Sequence, residues 1–440
     1  MNTALYWFRS DLRLEDNPNF LSACKASDSL LPIYVHAPQE SRVWGFERIS
    51  EHRRQFLHDA LTDLQLHLEH LGSDLLELQA TQGSSSNAVD LVLNAAHHHG
   101  IKTIYCEEIH APEEMQALVL LKRAGLTVHA ELESTMIAVG DLPFAPDTMP
   151  DQFTQFRNKI EKAKYLFTDP VSAPSHIPPL PVNFRRSELI ADVQSPVKTE
   201  PAGQNNGHPH SSFPHYLEAC RGGTRAAVAH LQQYLERALP HSYKATRNQL
   251  YGLDYSSKLS PWLALGSISA RSVMKDLKQF ESKQGANEGS YWLWFELLWR
   301  DYFRVLHLKY GTQLYCASGL NQSKKPIHNA RGFEHWRSGT TGESIVDAGM
   351  RELNATGYLS NRLRQVVASY LIYDLHSDWR AGAAWFESQL LDYDVYSNQG
   401  NWLYIAGRGT DPRGGRRFNP QKQAQDYDAN GSYRALWLGD

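Results

Sequence analysis

Short apolar runs alternating with segments of helical periodicity restrict the fold of this chain more than any other feature. Thr3 to Phe8 and Leu30 to Val35 read as buried strands, whereas Glu51 to Leu71 sets Phe56, Leu57, Leu61, Leu64, Leu68 and Leu71 on a helical face. Helices are expected at Ala88 to His99 and Pro112 to Ala124, and strands at Ile101 to Tyr105 and Leu126 to His129. Such alternation implies a doubly wound parallel sheet with helices on both faces, an α/β domain over residues 1–130.

Beyond it, prolines recur from Pro143 to Pro214 and mark residues 131–214 as a long connector. One helix is expected there, at Gln152 to Phe167, with the rest extended over the surface. From His215 the pattern is helical almost throughout, punctuated at Gly222-Gly223, Gly285 to Gly289 and Gly339 to Gly342, so residues 215–440 are expected to form an all-α domain. A chain of 440 residues, 42% apolar, can supply a core to each domain.

The opening residues carry Arg9, Asp11, Arg13, Glu15 and Asp16, and no uncharged stretch approaches the roughly 20 residues that span a bilayer. A soluble, cytoplasmic protein without membrane contact is expected. Cys24, Cys106, Cys220 and Cys316 show neither a disulfide framework nor metal-ligand spacing, and the His97 to His99 run before Gly100 suits a helix end better than a metal. A net charge of −4 gives no global attraction to nucleic acid, yet residues 405–425 concentrate Arg408, Arg413, Arg416, Arg417 and Lys422 against the single acid Asp411, a stripe suited to phosphates.

Two segments carry chemistry. Glu296, Trp299 and Arg300 lie at i, i+3 and i+4 of a helix, and Asn361, Arg364 and Gln365 repeat that spacing. Both sets stand among Leu, Phe, Val and Trp, where polar groups need partners that a large polar ligand would supply. The segments Tyr243 to Arg247 and Ser256-Ser257-Lys258-Leu259-Ser260, ahead of a helix near Pro261, offer hydroxyls and amides that favour an anion. No phosphate-loop or dinucleotide fingerprint is present, since Gly407 and Gly409 lack the third glycine.

Residues 7 to 18, Trp-Phe-Arg-Ser-Asp-Leu-Arg-Leu-Glu-Asp-Asn-Pro, resemble the amino-terminal signature of the photolyase and cryptochrome family. Residues 401 to 413, Asn-Trp-Leu-Tyr-Ile-Ala-Gly-Arg-Gly-Thr-Asp-Pro-Arg, followed by Phe418, Asn419, Lys422, Gln423 and Tyr427-Asp428, are similar to its DASH branch. The resemblance implies that FAD is bound by the helical domain. Ser256, Ser257, Lys258, Leu259 and Ser260 would hold its phosphates, with Tyr243, Arg300, Asn361, Arg364, Asp392, Asp394 and Asn398 gripping the rest. Asn398 would face flavin N5 and favour the reduced state, and Arg364 would pair with Asp392. Glu113 would grip the pterin of a 5,10-methenyltetrahydrofolate antenna.

The implied activity is blue-light-driven splitting of cyclobutane pyrimidine dimers by electron transfer from excited reduced FAD. Glu296 would hydrogen-bond the dimer, Trp299 would stack on it, Asn361 would fix dimer and flavin, and Arg247 would lie near the DNA backbone. Gln365 and Tyr404 stand where duplex-acting photolyases have Met and Trp, which implies a preference for single-stranded DNA, with duplex DNA or RNA as the open alternatives. Trp402 and Trp379 match the first two members of an electron relay, but Pro326 occupies the usual third position. Tyr373, Trp385 or a neighbouring Tyr could end the relay, or photoreduction is slow. Two alternatives follow: a blue-light photoreceptor that binds nucleic acid without efficient repair, which the short tail ending at Asp440 disfavours, and a flavoprotein with impaired electron supply. No protein partner is implied.

Overall fold

Apolar alternation within the strands decides how the first domain is built. The protein is described by a computed structural model over residues 2–36, 43–80, 87–182, 184, 193–194, 207–321 and 324–439. Strands β1 (Thr3–Phe8), β2 (Ser29–Val35), β3 (Leu76–Ala80), β4 (Thr103–Glu107) and β5 (Thr127–Glu131) form a parallel sheet in the order β5-β4-β1-β2-β3. A two-residue strand, β6 (Val193–Gln194), adds antiparallel to the β3 edge. Helices α1 (Pro18–Ala26), α2 (Glu51–His70), α3 (Ala88–His98) and α4 (Pro112–Arg123) cover the sheet. Ala4, Tyr6 and Phe8 of β1 pack with Phe20 of α1 and Leu61 and Leu64 of α2, while Leu5 and Trp7 pack with Val92 of α3 and Leu121 of α4. The fold is therefore the expected doubly wound one. Helix α1, started by the Asn17 cap and Pro18, and strand β3 were not anticipated from the sequence.

The connector differs from the surface-lying chain that its prolines suggest. Its helix α5 (Phe153–Ala163) stops before Phe167 because Lys164 turns into the left-handed region at φ 60°. Phe153, Phe156 and Ile160 lie at helical spacing and, with Met136, Ile137 and Met149, are buried in the helical domain's core. Asp301 anchors the entry by accepting from the Met136 and Ile137 amides at 2.8 and 2.9 Å. Pro196 and Pro201 of the connector lie outside the described residues.

The second domain is helical: α6 (Thr224–Glu236), α7 (Tyr243–Thr246), α8 (Ser260–Leu265), α9 (Ala270–Gln284) and α10 (Glu288–Tyr310), then α11 (Ala330–Ser338), α12 (Ser344–Thr356) and α13 (Asn361–Tyr373). It closes with α14 (Trp379–Gln389), α15 (Val395–Ala406), α16 (Pro420–Tyr427) and α17 (Ser432–Leu438). One long apolar core joins these helices to the connector.

The signature at residues 7–18 turns out to be the bracket between the domains. Asp11, buried beyond β1, accepts from the Tyr6 hydroxyl at 2.5 Å, the Asn17 amide group at 3.0 Å and the Arg9 backbone at 2.8 Å. The loop so held donates from the Leu12 amide to the Leu265 carbonyl and from the Arg13 guanidinium to the Gly266 carbonyl, both at 3.0 Å. Gly266 ends α8 at φ +71°, and a Cβ there would meet the Ser10 carbonyl oxygen at 2.1 Å. Gly266→Ala is expected to destabilise the protein by about 1–3 kcal/mol through strain and overpacking, read as a lower denaturation midpoint. An unchanged midpoint would contradict this docking geometry.

Candidate functional site

A cavity of about 270 Å³ opens inside the helical domain at the start of α8. Ser256, Ser257, Lys258, Leu259 and Ser260 form one wall, and Tyr243 and Arg247 line it from α7 and its end. Glu296 and Arg300 of α10 face the same space, as do Asn361 and Arg364 of α13, and Asp392 and Asp394. Ser360 caps α13, which aims the first-turn side chains Asn361 and Arg364 at the cavity. A neighbouring space of about 90 Å³ shares Asn361, Arg364, Asp392 and Asp394 and adds Gln365, Asn398 and Trp402. Residues scattered over 160 positions of sequence thus surround two adjoining spaces.

Its polar groups are incompletely satisfied. Asp392 accepts from the Ser260 hydroxyl at 2.6 Å and from Arg364 at 2.9 Å through Oδ2, while its buried Oδ1 has no partner. Lys258 stands in the left-handed region at φ 56°, and its buried Nζ also has no hydrogen-bond partner, lying 3.4 Å from the centre of the Tyr255 ring. An orphaned carboxylate oxygen and an orphaned amine are costly in a dry protein. A dinucleotide bearing both a diphosphate and polar ring edges fits those two demands, so the residues present suit FAD.

Asp394 is held by Arg304 at 2.5 Å and caps α15 by accepting from the Ser397 amide at 2.7 Å. Burial pushes its carboxyl up, but Arg304 and Arg300 overcome this and keep it well below the ordinary carboxylate range. Arg300 itself donates to the Ser134 and Leu263 carbonyls, and burial lowers its pKa to about 9, which leaves it charged at neutral pH. Sequence reading missed Arg304, although it continues the i+4 spacing of Glu296 and Arg300 by one turn. Asn398 donates its Nδ2 to the Ala383 carbonyl at 3.0 Å, since the reverse orientation would oppose two oxygens, and its Oδ1 remains an acceptor.

Along α10, Glu296 is ion-paired with Arg247, and one turn on Trp299 stacks against Phe153 with ring centres 3.7 Å apart. Trp299 and Tyr404, 6.2 Å apart, line a separate cavity of about 420 Å³ with Arg413. Glu296, Asn361 and Gln365 therefore border the first void, and Trp299 and Tyr404 the second. The basic stripe is more neutralised than its sequence suggests. Arg413 and Arg416 both pair with Asp411, and Arg417 pairs with Asp374 at 2.7 Å, an acid that tertiary folding brings in from the end of α13. Arg408 donates to the Lys324 carbonyl at 2.8 Å.

Trp402 borders the smaller void and packs against Gly382, where a Cβ would meet its ring at 2.2 Å. Its nearest aromatic partners are Phe386 at 5.2 Å and Trp336 at 6.4 Å. Trp379 is buried, donates to the Ala317 carbonyl at 3.2 Å and lines the same cleft as Asn398 and Glu113. Trp336 against Trp402 is a contact that spacing alone could not reveal. Pro326 lies in an irregular loop. Between the domains, a cleft of about 270 Å³ at the carboxyl ends of β1, β2 and β4 is bordered by Glu113, whose carboxylate pairs with Arg48 at 2.8 Å, and Arg48 also holds Glu387 at 2.8 Å. Among the described residues no cluster of His, Cys, Asp or Glu is arranged to hold a metal ion, and no helix is long and apolar enough to cross a membrane.

Fully buried Glu352 accepts from the Ser212 hydroxyl at 3.2 Å and from Tyr433. Burial raises its pKa to about 7 against the opposing hydrogen bonds and Lys258. A raised carboxyl pKa stabilises the folded state below the unfolded value near 4.5 and loses that contribution as pH climbs through about 7. Glu352→Gln is therefore expected to gain thermal stability over the parent at pH 8 and to lose that advantage below about pH 4.5. Parallel stability profiles across that range would contradict the assignment.

The profile described as "FAD binding domain of DNA photolyase" matches residues 292–440, and that described as "DNA photolyase" matches residues 4–178. A cryptochrome DASH of Gloeobacter violaceus is 40% identical over 99% of this chain and 85% of its own, and that of Synechocystis 39% identical over 99% and 87%. The crystal structure of the Synechocystis cryptochrome superposes with a TM-score of 0.87 at 38% identity, covering 100% of this chain and 89% of the other. A class III photolyase from Agrobacterium tumefaciens gives a TM-score of 0.78 at 26% identity, over 100% and 87%. The chain belongs to the photolyase and cryptochrome family, within its DASH branch.

Proposed function

We propose that this protein is a light-driven lyase that splits cyclobutane pyrimidine dimers, preferentially in single-stranded DNA. The observation that carries this reading is the position of Glu296. It borders the void that suits FAD and shares a helix face with Trp299, so one acid adjoins both the cofactor space and an aromatic wall. When bound, reduced FAD supplies the light-driven electron.

The protein's own residues place and polarise. Ser256 to Ser260 and Lys258 bind the diphosphate end, and Asp392 and Arg364 orient the ring end. Asn398 offers its Oδ1 as the acceptor for a protonated ring nitrogen and so favours the reduced form. Glu296, released from Arg247 and protonated, donates to the dimer carbonyls, a preorganised electrostatic role, while Asn361 and Gln365 make the pocket polar and Tyr404 gives the adjoining cavity a smaller wall than a tryptophan would. Trp402 and Trp379 deliver electrons toward the cofactor. Glu113, at the interdomain cleft, would hold the pterin of a methenyltetrahydrofolate antenna in place of its Arg48 partner, and that group would supply light harvesting. Pro326 at the relay's third position favours a second reading, a nucleic-acid-binding flavoprotein with impaired electron supply, and repair that appears only after chemical reduction before illumination would indicate it.

The test is repair of a thymine dimer in single-stranded and duplex oligonucleotides by chemically reduced protein, in light and dark. Light-dependent repair concentrated on the single strand and lowered roughly 100-fold in Glu296→Ala is expected. Absence of repair on both substrates, with reduced FAD bound, would overturn the lyase reading.

A further inference from the structure

Rings that the proposed chemistry leaves unused continue the Glu296 face outward along α10. Trp292, Phe295 and Trp299 lie at i, i+3 and i+7, and Glu296 stands among them. Trp292 and Phe295 have ring centres 4.3 Å apart, Phe295 lies 5.1 Å from Phe153, and Phe153 stacks on Trp299. Tyr404 extends the row beyond Trp299. Phe153 is a buried floor, whereas Trp292, Phe295, Trp299 and Tyr404 keep part of their surface in water.

Cations sit over these rings. Arg247 lies 4.4 Å and Lys244 5.8 Å from the Trp292 ring centre, Arg157 lies 5.7 Å from Phe295, and Arg416 lies 4.8 Å from Tyr404. Aromatic faces interleaved with cations along a line suit a single strand, whose bases can stack and whose phosphates pass close by. A duplex keeps its base faces to itself. The cations are balanced by acids, Lys244 by Glu288, Arg247 by Glu296 and Arg157 by Glu161 at 3.5 Å. Counterion release is consequently a minor contribution here, and stacking has to supply the affinity.

We infer that Trp292 and Phe295, the part of the row outward of Trp299, form a stacking track for undamaged nucleotides flanking the lesion in single-stranded DNA, with Trp292 at its outer end. This rests on the reading that Glu296 receives the dimer. The track gives single strands a contact that paired DNA cannot make.

The experiment is an anisotropy titration of FAD-loaded full-length protein with an undamaged labelled thymidine oligonucleotide, alone and annealed to its complement, over a salt series. Trp292→Ala is expected to weaken single-strand binding about 5- to 100-fold, with the salt slope and duplex affinity unchanged. Trp292→Phe, which keeps a ring, is expected to restore most of the affinity. No loss, an equal loss on both substrates, or a Phe variant as weak as the Ala variant overturns the track. Light-driven repair of an isolated dimer dinucleotide, which has no flanking bases, is expected to be the same in Trp292→Ala as in the parent. If the parent repairs no dimer, the lyase reading fails, and the binding comparison still decides the track.

Discussion

The close approach of the signature loop to the end of α8 sets the geometry of everything that follows. Ser10, Leu12 and Arg13 meet Leu265 and Gly266 backbone to backbone and guanidinium to carbonyl, a contact only a glycine at positive φ permits. The opposite end of α8 is Ser260, where the polar loop from Ser256 enters the void. A helix of six residues therefore transmits the position of the α/β domain directly to the Ser256 to Ser260 wall of the void in the helical one. Asp11 and Arg13 of the signature make their hydrogen bonds within the protein. They shape a loop that holds the cofactor wall in place.

Within the void, Arg364 with Asp392, Arg304 with Asp394 and Arg247 with Glu296 are complete pairs, while other buried polar atoms are left over. Arg364 with Asp392 and Arg304 with Asp394 form ion pairs shielded from water, strong because both members are hydrogen-bonded as well. Asp392 Oδ1 and Lys258 Nζ are left over at separate points of the wall. Cavities that merely result from imperfect packing are apolar and carry no such debt. The unpaired atoms, with their opposite preferences, are the physical reason the void reads as a binding site.

Much of this was legible in the sequence. Periodicity located β1, β2 and α2 to α4, and of the two i, i+3, i+4 sets Glu296 and Arg300 border the same space as Asn361 and Arg364, with Gln365 in the adjoining one, while Trp299 lines a separate cavity. Strand β3, Leu-Glu-Leu-Gln-Ala, escaped notice because its alternation is short and half polar, and α1 because its nine residues carry a weak apolar face. The connector misled for another reason: outside its expected helix, prolines argue for extended surface chain, but Met136, Ile137 and Met149 are apolar enough to be drawn into the core. Long-range contacts were beyond reach in principle. Asp374 beside Arg417, Trp336 beside Trp402 and Phe153 beneath Trp299 are joined by tertiary packing across 40 residues or more, and no local spacing encodes them.

An electron passing from the excited reduced flavin in the α8 void to a dimer held at Glu296 would shorten the life of that excited state. Time-resolved absorption of the reduced, FAD-loaded protein addresses it directly, comparing a dimer-bearing single strand with an undamaged strand of the same sequence, both at saturation. A faster decay of the excited flavin with the dimer strand, matched in time by loss of the dimer, is the predicted result. Identical decays with both strands, while the dimer strand is bound, would contradict it.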